Sequence, residues 1–179
     1  ALRYRVFYEE LSAKPTPEMS ALRRDFDSFD PYCDHLIIID RDKGEGAAGI
    51  IATYRLMRRE QASRRGQFYS IDEYDISSLV NYRGGFLELG RSCVDPAYRT
   101  KAAMNLMWKG IADYILYYNI GVLFGCASFP GTDPEEHNTA LSYLYHRHLA
   151  PPEYRARALP GRYVSMNMMP IEEIDEKRA

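Results

Sequence analysis

Cysteine is sparse in this sequence: Cys33, Cys93 and Cys126 are the only three, and no C-x-x-C pair occurs. An odd, scattered set argues against a disulfide framework and fits a reducing cytosol. Metal ligands are missing too. Zinc takes about four closely arranged ligands, and His146 and His148, two apart on a predicted helix, point to different faces; no metal site is expected. No apolar run approaches the ~20 residues that span a bilayer, and no signal peptide is visible. The formal net charge is only -2, so general binding of nucleic acid or another polyanion is not expected. An initiator methionine is absent. "ALRYRVFYEEL" reads as mid-helix and "PIEEIDEKRA" stops inside another helix-like stretch, so the sequence is expected to be a fragment, truncated at both ends.

What remains suits a globular α/β protein. The 179 residues, 46% of them hydrophobic, match one domain of roughly 100–200 residues with a real core; a single domain over 1–179 is expected. Helical spacing of Leu2, Val6, Phe7 and Leu11 predicts a helix over 2–12, and a shorter one follows at 18–28. "HLIIID" (35–40) and "AAGIIATYRLM" (47–57) predict a hairpin. A short helix is expected near 70–80, strands at 85–94 and 122–129, helices at 99–118 and 134–149, and a last strand near "RYVSMNM". Hairpins early and crossovers late give a mixed central sheet.

The stretch "ELGRSCVDPAYRTKAAMNLMWKG" (88–110) carries the strongest chemical signal. A helix N-terminus binds anions, phosphate above all. Arg99 and Lys101 stand there against the helix dipole, so they are either plain exposed cations or phosphate ligands. Glu88 and Arg91 lie inside an apparent core strand. Residues three apart on a regular strand face opposite sides; both reach one site only if the ladder is bulged, which Gly90 permits. Otherwise they are two charges, one per face. A carboxylate in a sheet is pushed by desolvation toward the pKa of a general base, and an arginine there can hold a substrate carboxylate bidentately. On the helix "HNTALSYLYHRHL", Tyr145 is open to a core role or a functional one. Cys93 and Cys126 sit in apolar strand patterns without a His–Asn arrangement and read as inert.

The order of elements, the "CVDPAYR" exit from a core strand and "NTALSYLY" resemble the GNAT N-acyltransferase fold. That resemblance implies a mixed, mostly antiparallel central sheet flanked by helices. "LRYRVFYEE", the aspartates of "FDPYCD", "TYRLM" and the E-x-x-R of "ELGR" resemble acyl-homoserine-lactone (autoinducer) synthases. "LFGCASFPGTDPEEHNTALSYLYHRHLAPPEYRARA" is more similar to ornithine-lipid N-acyltransferases, which make lyso-ornithine lipid from a 3-hydroxyacyl-carrier protein and ornithine. Autoinducer synthases carry a tryptophan after the first helix; here that region reads "ELSAKPT" and Trp108 is the only tryptophan, which counts against an autoinducer product.

The resemblance implies roles. Glu88 would take the proton of the acceptor amine, and Tyr145 would protonate the leaving thiolate. Backbone N–H groups near Cys93 and Val94 would meet the oxyanion. Arg99, Lys101, Ala102, Ala103 and Ser128 would complete the donor site. The usual phosphate loop is Q/R-x-x-G-x-G/A, but here it reads "RTKAAM", with Ala102 and Ala103 where glycines are expected. A backbone without glycines wraps a diphosphate less closely. That favours the single phosphate of an acyl-carrier-protein phosphopantetheine over coenzyme A, as co-substrate and with no bound cofactor. Carrier proteins are acidic, so Arg99, Lys101, Arg58 and Arg59 would steer one in. Arg91, Arg55 and Arg3 would hold the acceptor carboxylate or organise the pocket, with Phe7 lining it. Asp30 or Asp34 would hold a second ammonium or else serve a turn. The expected protein is a cytoplasmic N-acyltransferase acting on ornithine, with peripheral contact at the inner membrane face because its product is an amphiphile. An N-acyl amino acid or autoinducer synthase, and a silent acyl-carrier or lipid-binding module, are the alternatives.

Overall fold

The apolar runs before and after the glycine-containing turn at 44–49 do form the expected hairpin: β1 (Asp34–Ile39) pairs antiparallel with β2 (Ile50–Arg58). This is seen in a computed structural model, which describes residues 1–175. Ahead of the hairpin run α1 (Leu2–Tyr4), continued by a π-helical segment over Arg5–Glu10, and α2 (Pro17–Leu22). After it come α3 (Arg59–Arg65), β3 (Tyr74–Asp75), α4 (Ser77–Val80), β4 (Gly85–Val94), α5 (Lys101–Tyr118), β5 (Ile120–Phe124), α6 (Asn138–His148) and β6 (Arg157–Ala158).

Two compact units result. The first holds Ala1–Tyr69 and Gly84–Gly125. Its sheet has the order β1-β2-β4-β5, antiparallel except for the parallel β4–β5 pair. A parallel neighbour needs a crossover, and α5 supplies it. Thr100 caps α5 by accepting from the Ala103 N–H at 3.3 Å, and Asn119 ends it in the left-handed region, φ 52°. Helices cover both faces of the sheet. Met107 of α5 packs on Ile38, Ile51 and Ala52, while Leu2 and Val6 pack on Cys93 from the other side.

The second unit holds Ser70–Arg83 and the described residues from Cys126 onward. In it β3 pairs antiparallel with β6, and Ser78 Oγ donates to the Arg155 carbonyl at 2.9 Å.

Several boundaries differ from expectation. The helix expected over 18–28 stops at Leu22, because Arg23 turns left-handed (φ 47°) and its N–H returns to the Met19 and Ser20 carbonyls. The helix near 70–80 is instead a 3-10 turn at Tyr69–Asp72, then β3, then α4. The strand expected over 122–129 ends at Phe124. The strand expected near 162–168 does not form: the Met168 and Met169 N–H groups donate to Ser142 Oγ, both at 3.1 Å, rather than to a ladder. The helix-like stretch at 170–179 shows one 3-10 turn, Ile171–Glu173, and residues 176–179 lie outside the described ones.

Candidate active site

A bulge in β4 resolves the position of Glu88 and Arg91. Arg55 pairs with Gly90 and Thr53 with Cys93, so Tyr54 alone opposes both Arg91 and Ser92. Two residues against one is a β-bulge. The left-handed residue is Arg91 (φ 51°), not Gly90. A non-glycine residue there is strained by about 1–2 kcal/mol. The extra residue puts Cys93 on the sheet face that carries Glu88, and Arg91 also reaches that face. The Tyr69 N–H donates to Glu88 Oε2 at 3.0 Å, and the Arg91 guanidinium lies 5.8 Å from the Tyr69 ring centroid. Glu88 and Arg91 therefore share a neighbourhood that an unbulged strand would have denied them.

The arginines of this face are held by aspartates. Arg55 Nη1 donates to both oxygens of Asp27 at 2.7 Å and to Asp30 at 3.1 Å. Arg91 Nη2 donates to Asp27 at 3.1 Å. Arg3 grips Asp30 with two bonds of 2.9 and 2.8 Å and also binds Asp25. Burial pushes the Asp27 carboxyl up, but Arg55, the Phe29 N–H and Arg91 outweigh it and hold Asp27 at about 2. Asp30 is likewise lowered, burial being outweighed by Arg3 and Arg55. Phe7 stands under the Arg91 guanidinium at 5.7 Å. Among the described residues, Arg91 Nε is a buried side-chain donor with no hydrogen-bond partner. Asp34 stays outside this cluster: its carboxylate accepts from Tyr114 at 2.6 Å and from Arg58 at 3.4 Å.

The donor-site residues converge in part. A cleft of about 540 Å³ is lined by Val6, Glu10 and Leu11, by Ser92, Cys93 and Val94, and by Tyr98, Arg99, Thr100, Lys101, Ala103 and Met104. It joins the bulged end of β4 to the first turn of α5, where the positive end of the helix dipole favours an anion although the Ala103 N–H is already taken by Thr100 Oγ1. Beyond Glu88, paired with Phe124, β4 has no further pairing with β5. The strands approach closely just past that point: a Cβ on Gly125 would lie 2.2 Å from the Leu89 carbonyl oxygen, so only glycine fits. Ala102 does not line the cleft, and neither does Glu88. Val94 lies six positions beyond Glu88, roughly 20 Å at most along a strand, a span of the order of an extended pantetheine arm. Arg99 is already bound, by Glu10. Arg58 and Arg59 are not at this mouth. Arg58 binds Tyr114 at 2.7 Å and covers the Tyr118 ring near the far end of α5, and Arg59 lies over Phe86.

Tyr145 and Ser128 belong to the second unit. Tyr145 is partly exposed on α6, its ring edge-on to His146 at 5.2 Å. Ser128 is exposed in the irregular segment after β5.

Sequence reasoning missed Asp25, Asp27, Tyr69 and Glu10. The signal for the first two was the repeat of aspartate and phenylalanine in "DFDSFD", acids set among core aromatics rather than in a plain polar loop. Cys93 is buried and burial pushes its thiol up to about 12. The thiolate is the reactive form, so Cys93 is expected to resist iodoacetamide at pH 8 in the native protein and react after unfolding. Peptide mass spectrometry reads this, and rapid native alkylation would show a thiol activated after all.

A family model described as an acetyltransferase (GNAT) domain matches residues 2–109. A protein of Rhizobium meliloti named L-ornithine N(alpha)-acyltransferase is 46% identical over 100% of this chain and 62% of its own length. Proteins of the same name from Brucella abortus and Rhodobacter capsulatus are 45% and 42% identical, each over 99% of this chain and over 64% and 68% of their own lengths. The chain thus spans less than two thirds of the Rhizobium meliloti relative. No solved structure matches it.

Proposed function

The chain belongs to the GNAT acetyltransferase family, and from that premise we propose that it transfers a long-chain (3-hydroxy)acyl group from an acyl-carrier protein to the α-amine of ornithine, giving lyso-ornithine lipid. The observation that carries the proposal is the cleft between the bulged end of β4, where its pairing with β5 has ended, and the N-terminus of α5. It offers a phosphate grip at one end and, up the strand, a buried carboxylate beside arginines. The acceptor rests on the likeness to proteins named for ornithine.

In this reading the phosphate of the donor arm sits against the first turn of α5 and Lys101, and the arm runs along the edge of β4 that β5 leaves unpaired. The neutral amine nitrogen attacks the thioester carbonyl carbon. Glu88 takes the amine proton, directly or through one water. Backbone N–H groups beside Cys93 and Val94 meet the oxyanion. The C–S bond breaks as the intermediate collapses, and the departing sulfur leaves as the thiol with a proton from solvent or from the protonated Glu88; Tyr145 is the donor that the family resemblance implies. The products are the N-acyl amino acid and the carrier-protein thiol. The unpartnered Arg91 Nε supports a place for the acceptor carboxylate beside the bulge. Arg55 and Arg3 are positioning residues in this scheme, since both are committed to aspartates. Asp30 is equally committed, which leaves Asp27 and Asp30 to hold arginines rather than to meet an ammonium alone.

No helix among the described residues is long and apolar enough to cross a membrane. We place the protein in the cytoplasm, where its amphiphilic product would bring it to the inner membrane face. The test is an assay of the full chain with 3-hydroxyacyl groups on carrier protein or on coenzyme A, against a panel of amines. N-acylornithine from the carrier-protein donor is expected. Equal rates with coenzyme A would overturn the donor, and faster acylation of another amine would overturn the acceptor.

A further inference from the structure

Glu10 and Arg99 are 89 residues apart, yet Arg99 Nη1 and Nη2 donate to the two Glu10 oxygens at 2.5 and 2.6 Å. Glu10 ends the π-helical segment after α1, Arg99 stands just before α5, and both line the cleft. Stability gives little reason for this pair. The side chains are 45% and 33% exposed, where ion pairs are worth about 0–1 kcal/mol. Arg99 has a second anchor inside the fold, its Nε donating to the Val94 carbonyl at 3.3 Å. Its fork therefore remains at the cleft whether or not Glu10 holds it.

An arginine fork fits a carboxylate and a phosphate with the same two-pronged geometry. A phosphate arriving at the first turn of α5 and Glu10 thus compete for one guanidinium. The contest depends on how many phosphates arrive. A single pantetheine phosphate can be met by the first-turn N–H groups that Thr100 leaves open and by Lys101, which makes no ion pair among the described residues. Arg99 then stays with Glu10. Coenzyme A brings a diphosphate and a ribose phosphate. It would need Arg99 as well, and taking it would strand the Glu10 carboxylate beside further negative charge. Repulsion of the wrong ligand, alongside attraction for the right one, is a common source of specificity.

We propose that Glu10 is a donor-selectivity residue: by occupying Arg99 it admits a one-phosphate pantetheine arm and disfavours coenzyme A. The inference rests on the donor-site reading above. It is tested by calorimetric binding of coenzyme A and of holo-carrier protein to the full chain, at several salt concentrations. The proteins compared are wild type, Glu10→Gln, Arg99→Gln, the double variant and Lys101→Gln. Glu10→Gln is expected to tighten coenzyme A about tenfold and holo-carrier protein by no more than about threefold. It should also steepen the salt dependence for coenzyme A, and the gain should vanish when Arg99→Gln is added. Retained holo-carrier binding shows that the cleft is still folded. If coenzyme A binds Glu10→Gln no better than wild type, or if both ligands gain equally, Glu10 does not select and the inference is overturned. The Lys101→Gln arm separates the two levels. Where Lys101→Gln weakens holo-carrier binding and Glu10→Gln fails, only the selectivity role falls. Where Lys101→Gln has no effect, the donor site itself is elsewhere and both fall.

Discussion

Glu88→Gln is expected to lower kcat for N-acylornithine formation by about 10²–10⁴-fold, the usual worth of a general base, while holo-carrier binding stays close to wild type. The substitution is nearly isosteric. Its amide oxygen can still accept from the Tyr69 N–H, the bond that Glu88 Oε2 makes at 3.0 Å. What disappears is the charge that receives a proton. Glu88 is 5% exposed and lies outside the lining of the donor cleft, up the strand from its Cys93 end. Loss of turnover with binding intact is therefore the signature of a group at the reacting end of the arm. Raising the pH separates this from a packing defect: a more alkaline medium supplies more neutral amine, so the deficit of Glu88→Gln should narrow. A variant that turned over at the wild-type rate would remove Glu88 as the base.

The parts of this scheme that could be read from the sequence are those governed by local physics. The β1–β2 hairpin followed from two apolar runs about a glycine-containing turn, and α5 from its helical spacing up to the stop at Asn119, although the helix expected from 99 begins only at Lys101, after the Thr100 cap. The bulge was legible as a need, since two charges three apart cannot otherwise meet. Its position was not. Gly90 is the residue that backbone freedom nominates, but Arg91 adopts the left-handed turn, in a tertiary setting where its guanidinium reaches Asp27. The partners of the arginines were hidden for the same reason. Arg55 lies 28 residues from Asp27, and Arg99 lies 89 from Glu10. Charges that look like free cations in a linear chain are neutralised by contacts that only the fold creates. Arg58 makes the point most sharply. It belongs to a basic run, yet it is bound to Tyr114 and Asp34 at the opposite end of α5 from Lys101.

Asp27→Ala is expected to lower unfolding free energy at pH 7 by about 3 kcal/mol, the lower end of the cost of stripping one partner from a buried ion pair. Arg55 is 5% exposed and donates two bonds of 2.7 Å to Asp27; it keeps only the longer 3.1 Å bond to Asp30 when Asp27 is gone. Arg91 loses its aspartate in the same step. Acid should do to the wild type part of what the mutation does. The folded Asp27 carboxyl titrates at about 2, against about 3.9 in an unfolded chain. A depressed folded value means that the unfolded state takes the proton first as pH falls. The stabilisation is therefore complete above about pH 5 and drains away toward pH 2, a loss of about 2–3 kcal/mol. Asp27→Asn keeps the shape without the titrating group, so its acid slope should be shallower than that of the wild type. Urea unfolding at a series of pH values from 7 to 2.5 measures both effects. An unchanged midpoint in Asp27→Ala, or an identical acid slope in Asp27→Asn, would show that Arg55 is held by other groups. The floor on which Glu88 and Arg91 meet would then not depend on this carboxylate.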